Sequence, residues 1–296
     1  MSWGMSGMCG EIAAYLPDQL AGLQSRGIKR ANLTSLSLDP EARPTSIVDL
    51  SASELQETRR LLDEAGIHAY CVTSPVAKYG VDTPQDQVDR ELAGAIAAAN
   101  VLEASYIRIF SFTAAEDSSL DDARDAVFKA FEQVVTRIEA EAGGALPLLE
   151  NNYRMYAGDG PRTRDLLADY VPPRVALAFD AHACLVLGVK PFDEMWAHVE
   201  PWVRVLHLKD YIPATKTIVP VGKGQAQLHE VISAANPEIV QDLALEPHLI
   251  NSSYGEGHDP LDLFQEAHTS VLDALDRAGK PRPGGLSGSN RWAHSA

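Results

Sequence analysis

The chain has 296 residues, 45% of them aliphatic, aromatic or sulfur-bearing, which is enough to bury a large core and excludes a disordered protein. Its 41 acidic residues against 25 basic give a formal net charge of −16. That balance lacks the concentrated basic face a phosphate backbone requires, so nucleic acid is excluded as a partner.

Read in chain order, helical and strand patterns alternate with short connections. A weak first strand lies within "MSWGMSGM", residues 1–8, and "EIAAYLPDQLAGLQSRG" (11–27) has apolar residues at helical spacing before a stop at Gly27. The strand "IKRANLTSL" (28–36) follows. "SASELQETRRLLDEAG" (51–66) opens on capping candidates at Ser51 and Ser53 and ends on Gly66. The strand "IHAYCVT" (67–73), the alanine-rich helix 86–104 and the strand "SYIRIFSF" (105–112) come next. Residues 120–144 form the clearest amphipathic helix, and "ALPLLEN" (145–151) is the strand after it.

The second half keeps the rhythm. Helix 160–170 precedes the strand "RVALAFDAH" (174–182), helix 190–200 precedes "WVRVLHLKD" (202–210), and helix 226–236 precedes "EIVQDLALE" (238–246). A closing helix spans 259–279. The strands are apolar on both faces, as parallel strands covered by helices must be. Eight strand–helix units in a chain of this length predict an α/β protein with a single (β/α)8 TIM barrel over residues 1–279. The Gly-, Pro- and Ser-rich residues 280–296 read as a flexible C-terminal tail.

Three scattered cysteines, Cys9, Cys71 and Cys184, make neither a disulfide framework nor a thiolate metal site, and fit a reducing compartment. The N-terminus carries no signal-peptide pattern and no run approaches the length of a membrane span, so a cytoplasmic location without membrane partners is expected. A homo-oligomer is compatible with all of this.

The strand ends carry the chemistry. The fifth ends on Glu150, the sixth on Asp180, the seventh on His207 and the eighth on Glu246, each separated from the next by about one strand–helix unit. In a barrel these four converge at the carboxyl face of the sheet, where barrel enzymes place their sites. Two Glu, one Asp and one His make an oxygen-rich set for one divalent ion, Mn²⁺ first with Mg²⁺ and Co²⁺ as alternatives, rather than a structural zinc. A single acidic residue at a strand end more often caps the next helix; four in register favour the metal. Period-2 alternation then places Asn152, His182, Lys209 and His248 as a second tier that orients ligands and grips a polar substrate.

"LLENNY", "LAFDAHACLVLG", "VRVLHLKDY", "VPVGKGQ" and "LALEPHL", in that order, resemble the sugar phosphate isomerase/epimerase family with the xylose-isomerase-like barrel. The resemblance runs to about Gly279. It implies that Glu150, Asp180, His207 and Glu246 hold one divalent metal, and that Glu150 and Glu246 exchange protons with the substrate carbon. Two departures leave the substrate open. His182 stands two residues after Asp180, where many relatives have a histidine or asparagine at three, and the arginine of some ketose epimerases is absent from "HLKDYIPATK".

The expected activity is a metal-dependent sugar isomerase or epimerase acting on a ketose or hydroxy-ketone through an enediolate. A lyase or dehydratase of the same architecture, acting on an inosose or an oxidised glycoside, is the alternative, with Lys209 as its acid or base. A non-catalytic sugar-binding subunit would have no reason to keep all four ligands.

Overall fold

The computed structural model describes residues 3–171 and 174–284. Eight parallel strands close into a barrel: β1 Gly4–Met8, β2 Arg30–Leu33, β3 His68–Thr73, β4 Tyr106–Ile109, β5 Leu146–Glu150, β6 Ala176–Asp180, β7 Val203–Leu208 and β8 Asp242–Leu245. Each strand pairs with its chain neighbour, and β1 closes the ring against β8 with Gly4 opposite Asp242. The helices α1 Leu16–Ser25, α2 Ala52–Ala65, α3 Gln85–Leu102, α4 Arg124–Glu141, α5 Gly160–Leu167, α6 Ala181–Leu187, α7 Leu228–Ala234 and α8 Pro260–Arg277 follow the strands in order. No helix of the described residues is long and apolar enough to cross a membrane.

Local chemistry sets the boundaries. In α2 the Ser51 hydroxyl and the Glu54 carboxylate cap each other's backbone N–H groups, and Gly66 leaves the helix in the left-handed region at φ 63°. The first helix starts later than its apolar spacing suggests. Pro17 occupies its opening turn, and the preceding residues form the 3-10 turn Cys9–Glu11 and a bridge from Tyr15 to Ser37. The expected helix 190–200 is broken into the π turn Pro191–Trp196 and the short helix Ala197–Val199. The strand expected over 174–182 stops at Asp180, because the Asp180 side chain accepts from Ala183 N and caps α6.

The core has two parts. One lies between the sheet and the helices; the other lies inside the barrel and contains Tyr106, Leu148, Ala176, Ala178, Val205 and Ala244. All of these but Ala176 stand two positions before Arg108, Glu150, Asp180, His207 or Glu246, so the pleat carries the interior face into the site. At the opposite end the buried Asp242 accepts from Ser6 Oγ (2.5 Å) and Arg30 Nη1 (2.9 Å). All three cysteines are free and buried.

On the outside, α3 presses Gly94 onto the 3-10 turn Ile47–Asp49, where an added Cβ would stand 2.0 Å from Val48 O. Gly94→Ala is therefore expected to cost about 2–3 kcal/mol by overpacking. The reading is a lower urea midpoint at constant slope; an unchanged midpoint would show that the two elements part freely.

Part of the C-terminal segment is held. Lys280 Nζ donates to Ala235 O at 3.0 Å and Arg282 pairs with Asp276 at 2.6 Å. The rest of the expected tail, 285–296, lies outside the described residues.

Candidate metal and catalytic site

The strand register steps the expected residues around the rim of the barrel, Glu150 two residues short of Asp180 and Glu246 two residues beyond His207. Asp180 is opposite His207 across β6 and β7, His207 is opposite Ala244 on β8, and Glu150 is opposite Ala178. Glu150, Asp180, His207, Lys209 and Glu246 are all at most 3% exposed. Five ionisable side chains buried together must be matched by one another or by an ion.

Three of the four expected ligands meet. One atom from each of Glu150, His207 and Glu246 lies within 4.8 Å of the other two. His207 Nδ1 approaches Glu246 Oε2 to 2.7 Å and Glu150 Oε2 to 3.8 Å, yet it makes no aligned hydrogen bond. A buried ring nitrogen that faces two carboxylate oxygens without bonding to either is disposed as metal ligands are, around a common point. Two carboxylates and one imidazole suit a divalent cation with borderline or oxygen-seeking preference. The residues present fit such an ion.

Asp180 stands apart from that trio. Its Oδ1 accepts from Ala183 N at 3.2 Å, and its Oδ2 lies 3.1 Å from Lys209 Nζ. Its backbone is fixed by Asn151, whose Oδ1 accepts from Asp180 N (2.7 Å) and whose Nδ2 donates to Asp180 O (2.9 Å). The helix-capping role and a place in the site are thus both filled by one carboxylate, one oxygen each.

Lys209 is the bridge. Its ammonium donates to Glu246 Oε2 at 2.9 Å while pairing with Asp180. Burial alone would depress its pKa, but Asp180, Glu246 and Glu150 outweigh burial and raise it above the ordinary lysine value. Lys209 is a fixed positive charge. The same balance raises His207, where Glu246 and Glu150 overcome burial. It drives Glu246 well below the usual carboxylate range, because Lys209, His207 and His248 together overcome its burial.

Of the remaining second tier, His248 reaches the site. Its Nε2 is 3.1 Å from Glu246 Oε1, its backbone N–H donates to Glu11 Oε2 at 2.6 Å, and its Nδ1 is 2.9 Å from Glu11 Oε1. Burial and Lys209 lower its pKa, but Glu246 and Glu11 raise it to about 10. His182 lies in α6 with its ring edge-on to Tyr211, 4.8 Å between centroids. Asn152 Oδ1 accepts from Arg154 N at 3.2 Å and so shapes its own loop.

Two residues join the site from strands whose ends had not been singled out. Arg108 on β4 donates through Nη1 to Glu150 Oε2 at 3.0 Å and through Nη2 to Ser74 O at 3.0 Å. Glu11, after β1, clamps His248 across the closing seam of the barrel. Each site carboxylate thus has a cationic partner: Arg108 for Glu150, Lys209 for Asp180 and Glu246, His248 for Glu246 and Glu11.

Comparison with known proteins agrees with this architecture. No curated protein matches the chain in sequence. Among solved structures it is similar to a D-tagatose 3-epimerase-like protein, with TM-score 0.71, 12% identity and coverage of 94% of this chain and 98% of the other. The IOLI protein with a bound zinc atom gives TM-score 0.70 at 13% identity, covering 94% and 99%. The probable 3-DHS dehydratase AsbF of Bacillus anthracis gives 0.68 at 14%, covering 92% and 99%. Identities so low establish a shared fold. The family model of the xylose isomerase-like TIM barrel matches residues 27–246, most of the length, and the chain belongs to that family.

Proposed function

We propose that the protein is a divalent-metal-dependent sugar isomerase or epimerase that acts on a ketose or related hydroxy-ketone through an enediolate. The observation that carries this reading is the buried convergence of Glu150, His207 and Glu246, one ligand atom of each within 4.8 Å of the others. Glu150, His207 and Glu246 would hold the ion, with Asp180 Oδ2 available as the fourth ligand. Mn²⁺ is the first choice, and Mg²⁺ and Co²⁺ suit the same donors. When bound, the cation supplies a Lewis acid that polarises a substrate carbonyl and balances the charge of the enediolate.

The chain's own residues divide the remaining work. Arg108 fixes Glu150 in place through its carboxylate Oε2, leaving Oε1 free of that contact. Glu246, depressed by three cations, is a poor proton acceptor. The first abstraction of a proton beside the carbonyl therefore falls to Glu150, and Glu246 serves the opposite face, passing on a proton drawn from the protonated His248 3.1 Å away. Lys209 holds its charge at working pH and contributes electrostatically, against a role as acid or base. His248 and His182 line the approach for substrate hydroxyls, with Asn152 in the adjoining loop. The partner is a small carbohydrate.

One observation favours a lyase instead. His248, with a pKa of about 10, carries a proton beside Glu246 and could protonate a departing hydroxyl. The likeness to a probable dehydratase suits that reading as well as the epimerase-like neighbour suits the first.

The test is incubation with Mn²⁺ and a panel of ketoses, ketose phosphates and keto-inositols in D₂O. An isomerase or epimerase returns a sugar of unchanged composition with deuterium next to the carbonyl; a lyase releases water or an aglycone. Metal analysis of the purified protein should find about one divalent ion per chain, and added Mn²⁺ should raise the melting temperature. Turnover of a good substrate in the complete absence of divalent metal would refute the proposal.

A further inference from the structure

Near the site, among the described residues, Lys78 is a cation without a carboxylate partner. Lys78 sits in the loop after β3, and among the described residues no carboxylate comes within ion-pair distance of it, whereas Arg108, Lys209 and His248 are each committed to one. Its side chain is exposed. Its ammonium stands 4.8 Å from the ring centroid of the fully buried Phe110, and the Arg108 guanidinium stands 4.8 Å from the same centroid.

The loop is built to hold it there. Phe110 N donates to Val76 O at 3.0 Å, Phe112 N to Ala77 O at 2.9 Å and Thr113 N to Tyr79 O at 2.9 Å, so the chain beyond β4 is laced to the Lys78 loop. Lys78 N closes a turn onto Pro75 O at 3.0 Å. Ala77 and Phe112, bonded to each other, both have left-handed backbones, at φ 64° and 57°. A bulky Phe in that region is a true outlier, and backbone strain of this kind, on the order of 1–3 kcal/mol per residue, gathers at sites where geometry must be fixed.

The surroundings of the ammonium are those of the site. Burial lowers its pKa, Arg108 and Lys209 lower it further, and Glu150 and Glu246 act the other way. A cation standing near other cations gains from an added anion. The chain as a whole repels anions at a net charge of −16, so an anionic substrate needs a local cation to hold it.

We propose that Lys78 anchors an anionic group of the substrate, a carboxylate or a phosphate remote from the reacting carbonyl, so that the enzyme acts on an acidic sugar derivative and not on a neutral one. This rests on the ketose reading above. The anion lies against Lys78 at the mouth, while the carbonyl and its neighbouring hydroxyl reach the buried trio.

Direct calorimetric binding to the Mn²⁺-loaded protein tests it with three ketoses: D-fructose, 5-keto-D-gluconate and D-fructose 6-phosphate. At least one anionic probe should bind about tenfold or more tighter than fructose, the scale of one charge-assisted hydrogen bond. The tighter of the two identifies the group as carboxylate or phosphate. The preference should shrink from low salt to 0.3 M NaCl, because Lys78 is exposed. Lys78→Met should remove the preference while leaving fructose and Mn²⁺ binding intact, and Lys78→Arg should keep most of it. Fructose binding as well as both anions, or a preference that survives in Lys78→Met, overturns the Lys78 assignment and leaves the ketose reading standing. Failure of all three probes to bind a protein that holds Mn²⁺ overturns both.

Discussion

Lys209→Met is expected to destabilise the metal-free protein by about 3–5 kcal/mol, the usual cost of removing one partner from a buried ion pair. The ammonium is 3% exposed and bridges Asp180 Oδ2 at 3.1 Å and Glu246 Oε2 at 2.9 Å. Methionine fills nearly the same volume, so little of the loss comes from packing. What remains is two buried carboxylates with no shared counter-charge. At roughly 2–4 °C per kcal/mol the melting temperature of chelator-treated protein should fall by about 6–20 °C.

The same substitution should tighten the grip on a divalent cation. In the native protein Lys209 competes for Asp180 and Glu246, two of the expected ligands. With it gone, an added ion supplies the missing charge, and saturation at about a hundred times Kd restores about 2.7 kcal/mol. The melting gap between variant and native protein should therefore narrow as Mn²⁺ is added, and a competition titration should give the variant the lower Kd. Equal melting of the two metal-free proteins would show that the bridge carries no weight. A variant with weaker Mn²⁺ binding would show that Lys209 supports the cation site instead of competing with it.

The place of Lys209 was legible before its partners were. "VRVLHLKD" ends a buried strand on alternating ionisable residues, and alternation puts His207 and Lys209 on one face with Val205, where all three are buried. It cannot say whether an inward ammonium meets a substrate or a carboxylate, because that depends on strands far away in sequence. At His182 the strand alternation has already ended, for a local reason. Asp180 caps α6, helical geometry begins at Ala181, and a period of two no longer applies.

Arg108 carried a signal that went unused. A lone charge in "SYIRIFSF", two residues from Tyr106, is an inward cation on a buried strand and needs a partner there. Glu11 carried no comparable signal. It lies 237 residues from His248, and only closure of β1 onto β8 brings them together. Local patterns placed the site's strand ends to within one residue, β7 running to Leu208 and β8 stopping at Leu245; contacts across the seam depend on topology alone.

Glu246→Gln, assayed at saturating Mn²⁺, is expected to lower product formation by about 10²–10⁴-fold, the range spanned by a positioned acid or base. The amide keeps the shape of the side chain and one oxygen for the cation, but it cannot return a proton. It also removes the anion shared by Lys209 and His248, so its effect should exceed that of Glu11→Gln, which touches Glu246 only through His248. Saturating metal separates the loss of a ligand from the loss of a base. Deuterium uptake then separates the two glutamates. Glu150, still held by Arg108 at 3.0 Å, should go on exchanging the substrate proton with D₂O in the Glu246 variant. In Glu150→Gln, exchange and product should disappear together. If instead exchange survives in Glu150→Gln and is lost in Glu246→Gln, the order of the two proton transfers is reversed. Undiminished turnover in Glu246→Gln would remove that residue from the chemistry and leave it as a ligand alone.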